Sequence, residues 1–161
     1  AATSFDEVWY DFARYAAALH RNHGADMQPA LQPGLKGKFT LKVERKHCTS
    51  RGGPWVFATP EMVRFSERSC HELVAPHLAA GQHTVGAVVH IKHLAPTLEG
   101  QTARAEIELV EVDRRRLRFK LELFDELDRI GECEHERFVI DVDKSGERLR
   151  AKAQALGIAL P

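Results

Sequence analysis

One change of period organises this chain. From Phe39 to Glu44, apolar and polar side chains alternate every second position; from Thr59 the period becomes helical; beyond Gly81 the alternation returns and lasts to Val142. The helical stretch opens with Thr59 as N-cap, Pro60 at the first helical position and Glu61 near the positive end of the dipole. It is expected to run to about residue 79, with Gly81 as terminator. One strand precedes it, in which Phe39, Leu41 and Val43 alternate with Thr40, Lys42 and Glu44. Four follow it. Val85, Ala87, Val89 and Ile91 share a face that His93 continues. Ala103, Ala105, Ile107 and Leu109 line the next, and Leu117, Phe119, Leu121 and Leu123 the third. Residues 130–142 make the last, whose mixed pattern suggests a bulge or an edge. Consecutive strands joined by short turns are antiparallel, and one helix covers one face of a sheet. The expected class is therefore α+β, a five-stranded antiparallel sheet curled round a long central helix. Its uncovered edge or face should find a second subunit.

At 161 residues the chain holds one core domain with additions at each end. Ser4 and Glu7 form a capping box, and Phe5, Val8, Trp9, Phe12, Ala16 and Leu19 make one apolar stripe, so an extra N-terminal helix is expected. Pro29, Pro33, Gly34 and Gly37 mark a linker after it. A short C-terminal helix should span about 146–156, before Gly157. The expected division is 1–34 for the N-terminal helix and linker, 35–144 for the central domain and 145–161 for the C-terminal helix and tail.

Charge narrows the partners. Lys plus Arg and Asp plus Glu both number 23, and this balance argues against a general nucleic-acid binder, which needs a basic excess. Three cysteines, Cys48, Cys70 and Cys133, imply no disulfide framework and fit a reducing cytoplasm. No apolar run approaches the roughly 18–20 residues that span a bilayer, so no membrane partner is expected. The early acidic residues and the lack of a basic leading region argue against a retained signal peptide.

Glu67 falls in the stripe of Val63, Cys70 and Val74. A carboxylate there is either paired with Arg64 or Arg68, or partly desolvated and able to act as base or nucleophile. His93 on an apolar strand face is either a satisfied core histidine or an imidazole turned towards the helix that carries Glu67. Thr59 reads as a cap or as a functional hydroxyl. Eight residues separate it from Glu67, about 12 Å along a helix, so the two do not touch within one helix. His20 with His23, His90 with His93, and Cys133 with His135 lack metal-site spacing, and no metal is expected. A Gly-x-Ser-x-Gly elbow and a phosphate-cradling glycine loop are both absent. Arg114-Arg115-Arg116 reads as a solvated hairpin tip.

Together these residues resemble a known family. Val56-Phe57-Ala58-Thr59 followed by Glu67, then Gly86, then His93 with Ala95 and Thr97, then Gly131 with His135-Glu136-Arg137, is similar to the fluoroacetyl-CoA thioesterase-like members of the hot-dog fold thioesterases. The likeness covers about residues 35–144. It implies hydrolysis of an acyl-CoA to a free acid and CoA by Thr59, Glu67 and His93. Gly86 would lie beside the substrate, in a site at a homodimer interface. CoA would enter as part of the substrate, with no cofactor, and assembly beyond a dimer is open. The family's namesake has aromatic residues in the loop before the helix; here that loop reads Ser50-Arg51-Gly52-Gly53-Pro54-Trp55, which implies an acyl group other than fluoroacetyl. Arg45, Lys46, Arg51 and Lys92 are candidates to hold the CoA phosphates. Other readings are a hot-dog hydratase, a dimeric structural protein with Glu67 buried and paired, and a non-catalytic module that binds acyl-CoA or another small ligand.

Overall fold

The computed structural model describes residues 31–160. The expected N-terminal helix lies outside them. In chain order the elements are β1 (Lys36–Lys42), β2 (Cys48–Thr49), β3 (Val56–Phe57), α1 (Thr59–Val74), β4 (Gln82–His93), β5 (Thr102–Asp113), β6 (Arg116–Phe124), β7 (Arg129–Asp141) and α2 (Val142–Leu156). Short 3-10 turns occupy Arg45–His47 and Ala75–His77. Five strands form one sheet in the order β1-β5-β6-β7-β4, antiparallel throughout. α1 crosses one face of it, as the hot-dog fold requires.

The period of two decides which face is the core. Ala103, Ala105, Ile107 and Leu109 of β5 and Leu117, Phe119, Leu121 and Leu123 of β6 point inwards and are buried. Met62, Phe65, Cys70, Leu73 and Val74 of α1 pack onto them. Each such large side chain contributes about 1.5–3 kcal/mol by leaving water. The other face is a ladder of cross-strand ion pairs, such as Lys38–Glu106 at 2.9 Å and Arg118–Glu111 at 2.7 Å. Pairs this exposed contribute little stability but keep that face wetted.

Several expectations need correction. α1 stops at Val74 rather than near 79. Pro76 supplies no N–H and crowds the preceding turn, so the chain tightens into the 3-10 turn. Thr59 is not the N-cap: Ala58 holds that place, with no side-chain cap, and Thr59 is the first helical residue. β1 begins at Lys36, ahead of the alternation expected from Phe39, and Leu31 is already buried. β7 is a central strand, paired on both sides, rather than an edge. Its mixed pattern arises because His135 and Arg137 point into the protein.

The expected bulge in β7 is present at Ile130, where pairing to β6 passes from Leu123↔Gly131 to Phe124↔Arg129, and a second one that shapes the site lies in β4. Its pairing to β7 runs through Gly86↔Arg137 and resumes at Val88↔Glu136, leaving Ala87 as the extra residue. Val85 and Ala87 therefore do not share the face of Val89, Ile91 and His93. Thr84 and Gly86 face α1 before the bulge, and the odd-numbered residues face it afterwards.

Candidate active site

Thr59, Val63, Glu67 and His71 are spaced four apart and form one ridge along α1. β4 runs antiparallel beside that ridge. His93 meets Thr59 at the start of the helix, Gly86 meets Glu67 midway, and Thr84 meets His71 near the end. Gly86 and His93 are seven residues apart, an odd number, so a regular strand would put them on opposite faces. The bulge at Ala87 brings both to the helix.

Thr59 Oγ1 and His93 Nδ1 are 2.9 Å apart. The other ring nitrogen, Nε2, is buried without a hydrogen-bond partner among the described residues. A buried N–H with no acceptor is costlier than a lone pair with no donor. The ring proton is therefore assigned to Nδ1, which donates to Thr59 Oγ1. The Thr59 hydroxyl proton stays free to point outwards, and Thr59 itself is exposed.

Glu67 is half-exposed, at 39% of its side chain. Its carboxylate lies against Gly86 so closely that a Cβ at that position would collide with Oε1. Glycine is needed here for clearance rather than for an unusual backbone angle. Behind the carboxylate lies a polar cluster that sequence reasoning left without roles. His135 Nε2 is 4.0 Å from Glu67 Oε1. His135 Nδ1 donates to the Val88 carbonyl at 2.7 Å, and Nε2 accepts from Arg137 Nη1 at 3.1 Å. Burial pushes the His135 imidazole down to about 4, against the opposing pull of the Val88 bond and with a smaller push from Arg137. His135 is thus neutral near pH 7, and the contact with Glu67 is no ion pair.

Arg137 is buried and fully used. Nε donates to Thr84 Oγ1 and Nη2 to the Thr84 carbonyl, both at 2.9 Å, and Nη1 also reaches the Glu67 carbonyl at 3.2 Å. Thr84 Oγ1, already accepting from Arg137, donates to His71 Nδ1 at 2.8 Å. Burial lowers the pKa of both Arg137 and His71, the latter also through His83 and Arg137. The result is a fixed positive charge beneath Glu67, held by neutral acceptors. The sequence marks it only faintly, since polar residues at i and i+2 of a strand read as a surface face until the fold turns that face inwards.

The thiols are not part of this chemistry. Burial pushes Cys133 up to about 12 and raises Cys70 well above its ordinary value, so neither is a thiolate at neutral pH. Among the described residues no group of three or more His, Cys, Asp or Glu is arranged to hold a metal, and no helix is long and apolar enough to cross a membrane. Of the four candidate phosphate-binding cations, Arg45 pairs with Glu99 at 2.7 Å and lies over the Trp55 ring. Lys46 pairs with Glu44 and Lys92 with Glu132, each at 2.7 Å. Arg51 is exposed in the loop before β3.

The family described as fluoroacetyl-CoA-specific thioesterase matches residues 42–143. The fluoroacetyl-CoA thioesterase of Streptantibioticus cattleyicolor is 37% identical over 102 residues, 63% of this chain and 73% of that protein. A solved structure of fluoroacetyl-CoA thioesterase superposes with a TM-score of 0.71 at 30% identity, covering 76% of this chain and 98% of that one. A thioesterase superfamily member from Thermus thermophilus shares the fold, with a TM-score of 0.74 at 23% identity over 81% of this chain and 98% of its own.

Proposed function

The chain belongs to the fluoroacetyl-CoA-specific thioesterase family, and from that premise we propose that it hydrolyses an acyl-CoA thioester to a free carboxylic acid and CoA. The observation that carries this reading is the Thr59–His93 hydrogen bond at one end of the α1–β4 seam, with Glu67 against Gly86 further along it. CoA enters as part of the substrate, and the reaction draws on no cofactor. Water, acyl carbon and thiolate are its only exchanging parts.

Each side chain has a role suited to its surroundings. Glu67 takes a proton from the water that adds to the thioester carbon. The free Thr59 hydroxyl donates to the developing oxyanion, and His93 holds that hydroxyl in place. Gly86 leaves room for the carboxylate and the reacting carbonyl. The thiolate is a good leaving group and departs as the tetrahedral adduct collapses, taking the proton held by Glu67.

Thr59 and Glu67 of one chain stand about 12 Å apart along α1, too far to serve one carbonyl. A homodimer resolves this. Among the described residues β4 is an edge strand of 12 residues, paired to β7 on one side only. Long edge strands recruit partners. Two copies joined through β4, with the two-fold axis between Val89 and His90, would set Gly86 of one protomer opposite His93 of its partner. Each site would then combine Thr59 and His93 of one protomer with Glu67 of the other.

The acyl group is one other than fluoroacetyl, either different in kind or larger. Arg51, Gly52, Gly53 and Pro54 are all exposed, and the one aromatic ring of this loop, Trp55, lies against Arg45. Unpaired cysteines fit a cytoplasmic setting.

The test is thiol release from short, branched and aromatic acyl-CoAs, with Glu67→Gln and His93→Ala beside the parent. Turnover of one acyl class, lost in both variants, supports the reading. Parental rates in either variant remove the site assignment, and no turnover with any thioester leaves a binding module. Mixing the two inactive variants should restore roughly a quarter of parental activity, because half of randomly assorted dimers are mixed and each holds one intact site.

A further inference from the structure

Both ends of the chain reach beyond the family match at 42–143, and each carries an apolar stripe. In α2 the stripe is Val142, Leu149 and Leu156, two turns apart and therefore aligned. They are 49%, 61% and 61% exposed. The left-handed Gly157 turns the chain so that the Ile158 N–H donates to the Ala153 carbonyl, which keeps Ile158, also exposed, at the same helix end. So much exposed apolar surface on one short helix calls for a partner.

We infer that residues 4–19 of the same chain cover this face of α2. The sequence reads that segment as an amphipathic helix with Phe5, Val8, Trp9 and Phe12 on its apolar side. Its charge is complementary: it carries three acidic side chains and one basic, whereas α2 carries four basic and two acidic. Its point of attachment is favourable too. Gly34 donates to the Leu109 carbonyl and Leu109 to that of Leu35, so the chain enters at the end of the sheet where β5 turns into β6. β7 finishes at that same end, because Arg116 pairs with Phe138, and α2 starts there. Between β1 and β7 lie three strand spacings, about 14 Å. The 11 residues from 20 to 30 can span up to about 36 Å. Reach is therefore ample.

The 161-residue chain carrying Trp55→Phe keeps Trp9 as its one tryptophan. Trp9 should then emit as a shielded indole and resist acrylamide. Adding Leu149→Glu with Leu156→Glu should shift its emission to the red and raise quenching severalfold, with thioester turnover kept. Should the double variant fail to fold, hydrogen exchange of the α2 amides gives a second readout: Trp9→Asp with Phe12→Asp should speed it severalfold. Trp9 quenched like free indole in the Trp55→Phe chain, or α2 exchange unchanged by the N-terminal substitutions, overturns the inference. So does shielding lost on dilution together with a fall in molecular mass, which would make a second copy the occupant.

Discussion

The buried imidazole of His135 ties stability to pH in a way that can be measured. Burial holds it at about 4 in the folded protein, well below an ordinary histidine near 6.5. The unfolded chain therefore takes up the proton first as pH falls. Stability from this group is complete above about pH 6.5 and is lost progressively down to about pH 4. A shift of this size is worth about 3 kcal/mol, since one pKa unit corresponds to about 1.4 kcal/mol. The side chain is fully buried, so solvent screening gives no reason to reduce that figure. Against a typical stability of about 5–15 kcal/mol, the loss is large. The assay is urea unfolding at pH 7.0, 5.5 and 4.5 for the parent and for His135→Gln, which keeps one donor and one acceptor but does not titrate. The parent should lose the greater stability between pH 7.0 and 4.5, so parent stability minus variant stability should fall steadily with pH. His71, also lowered, adds to the slope in both and cancels in the comparison. Equal pH dependence in parent and variant would refute the argument that His135 is neutral by burial.

Other consequences follow from the same geometry. Gly86→Ala should abolish most turnover while leaving the thermal midpoint within a few degrees, because the added methyl displaces the Glu67 carboxylate rather than core backbone; a thioesterase assay beside a melting curve checks both. Gly131→Ala should do the reverse, costing about 1–3 kcal/mol in urea unfolding, since its Cβ would meet the Lys92 carbonyl at 2.9 Å and Met62 Sδ at 3.0 Å. Arg137→Met should destabilise the fold by several kcal/mol, about 1–3 for each buried acceptor stripped of its donor, and denaturant unfolding at pH 7 reads that loss.

Much of the fold is legible in the amino-acid sequence. Alternation over β5 and β6 is regular, and both inward faces came out as the period of two demands. α1 is legible at its start but not at its end, because the apolar period continues past Pro76, whose missing N–H ends the helix. β7 resisted reading because His135 and Arg137 are polar yet face inwards, and a binary pattern assigns such residues to the surface. Thr59 shows the same limit. Its type and place suit a cap, but its hydroxyl is engaged by His93, 34 positions further along the chain.

Sequence alone determined the class of the protein. The balance of periods, one helix among five strands, leaves few ways to bury the apolar faces, and the spacing of Thr59, Glu67, Gly86 and His93 marks the family. It did not contain the Ala87 bulge, since one extra residue in a strand changes no composition and little of the pattern. That bulge decides which face His93 shares with Gly86. Nor did it contain the Arg137 network beneath Glu67, whose acceptors come from α1, β4 and β7. Such contacts depend on how strands register against a helix, and register is a property of the packed whole.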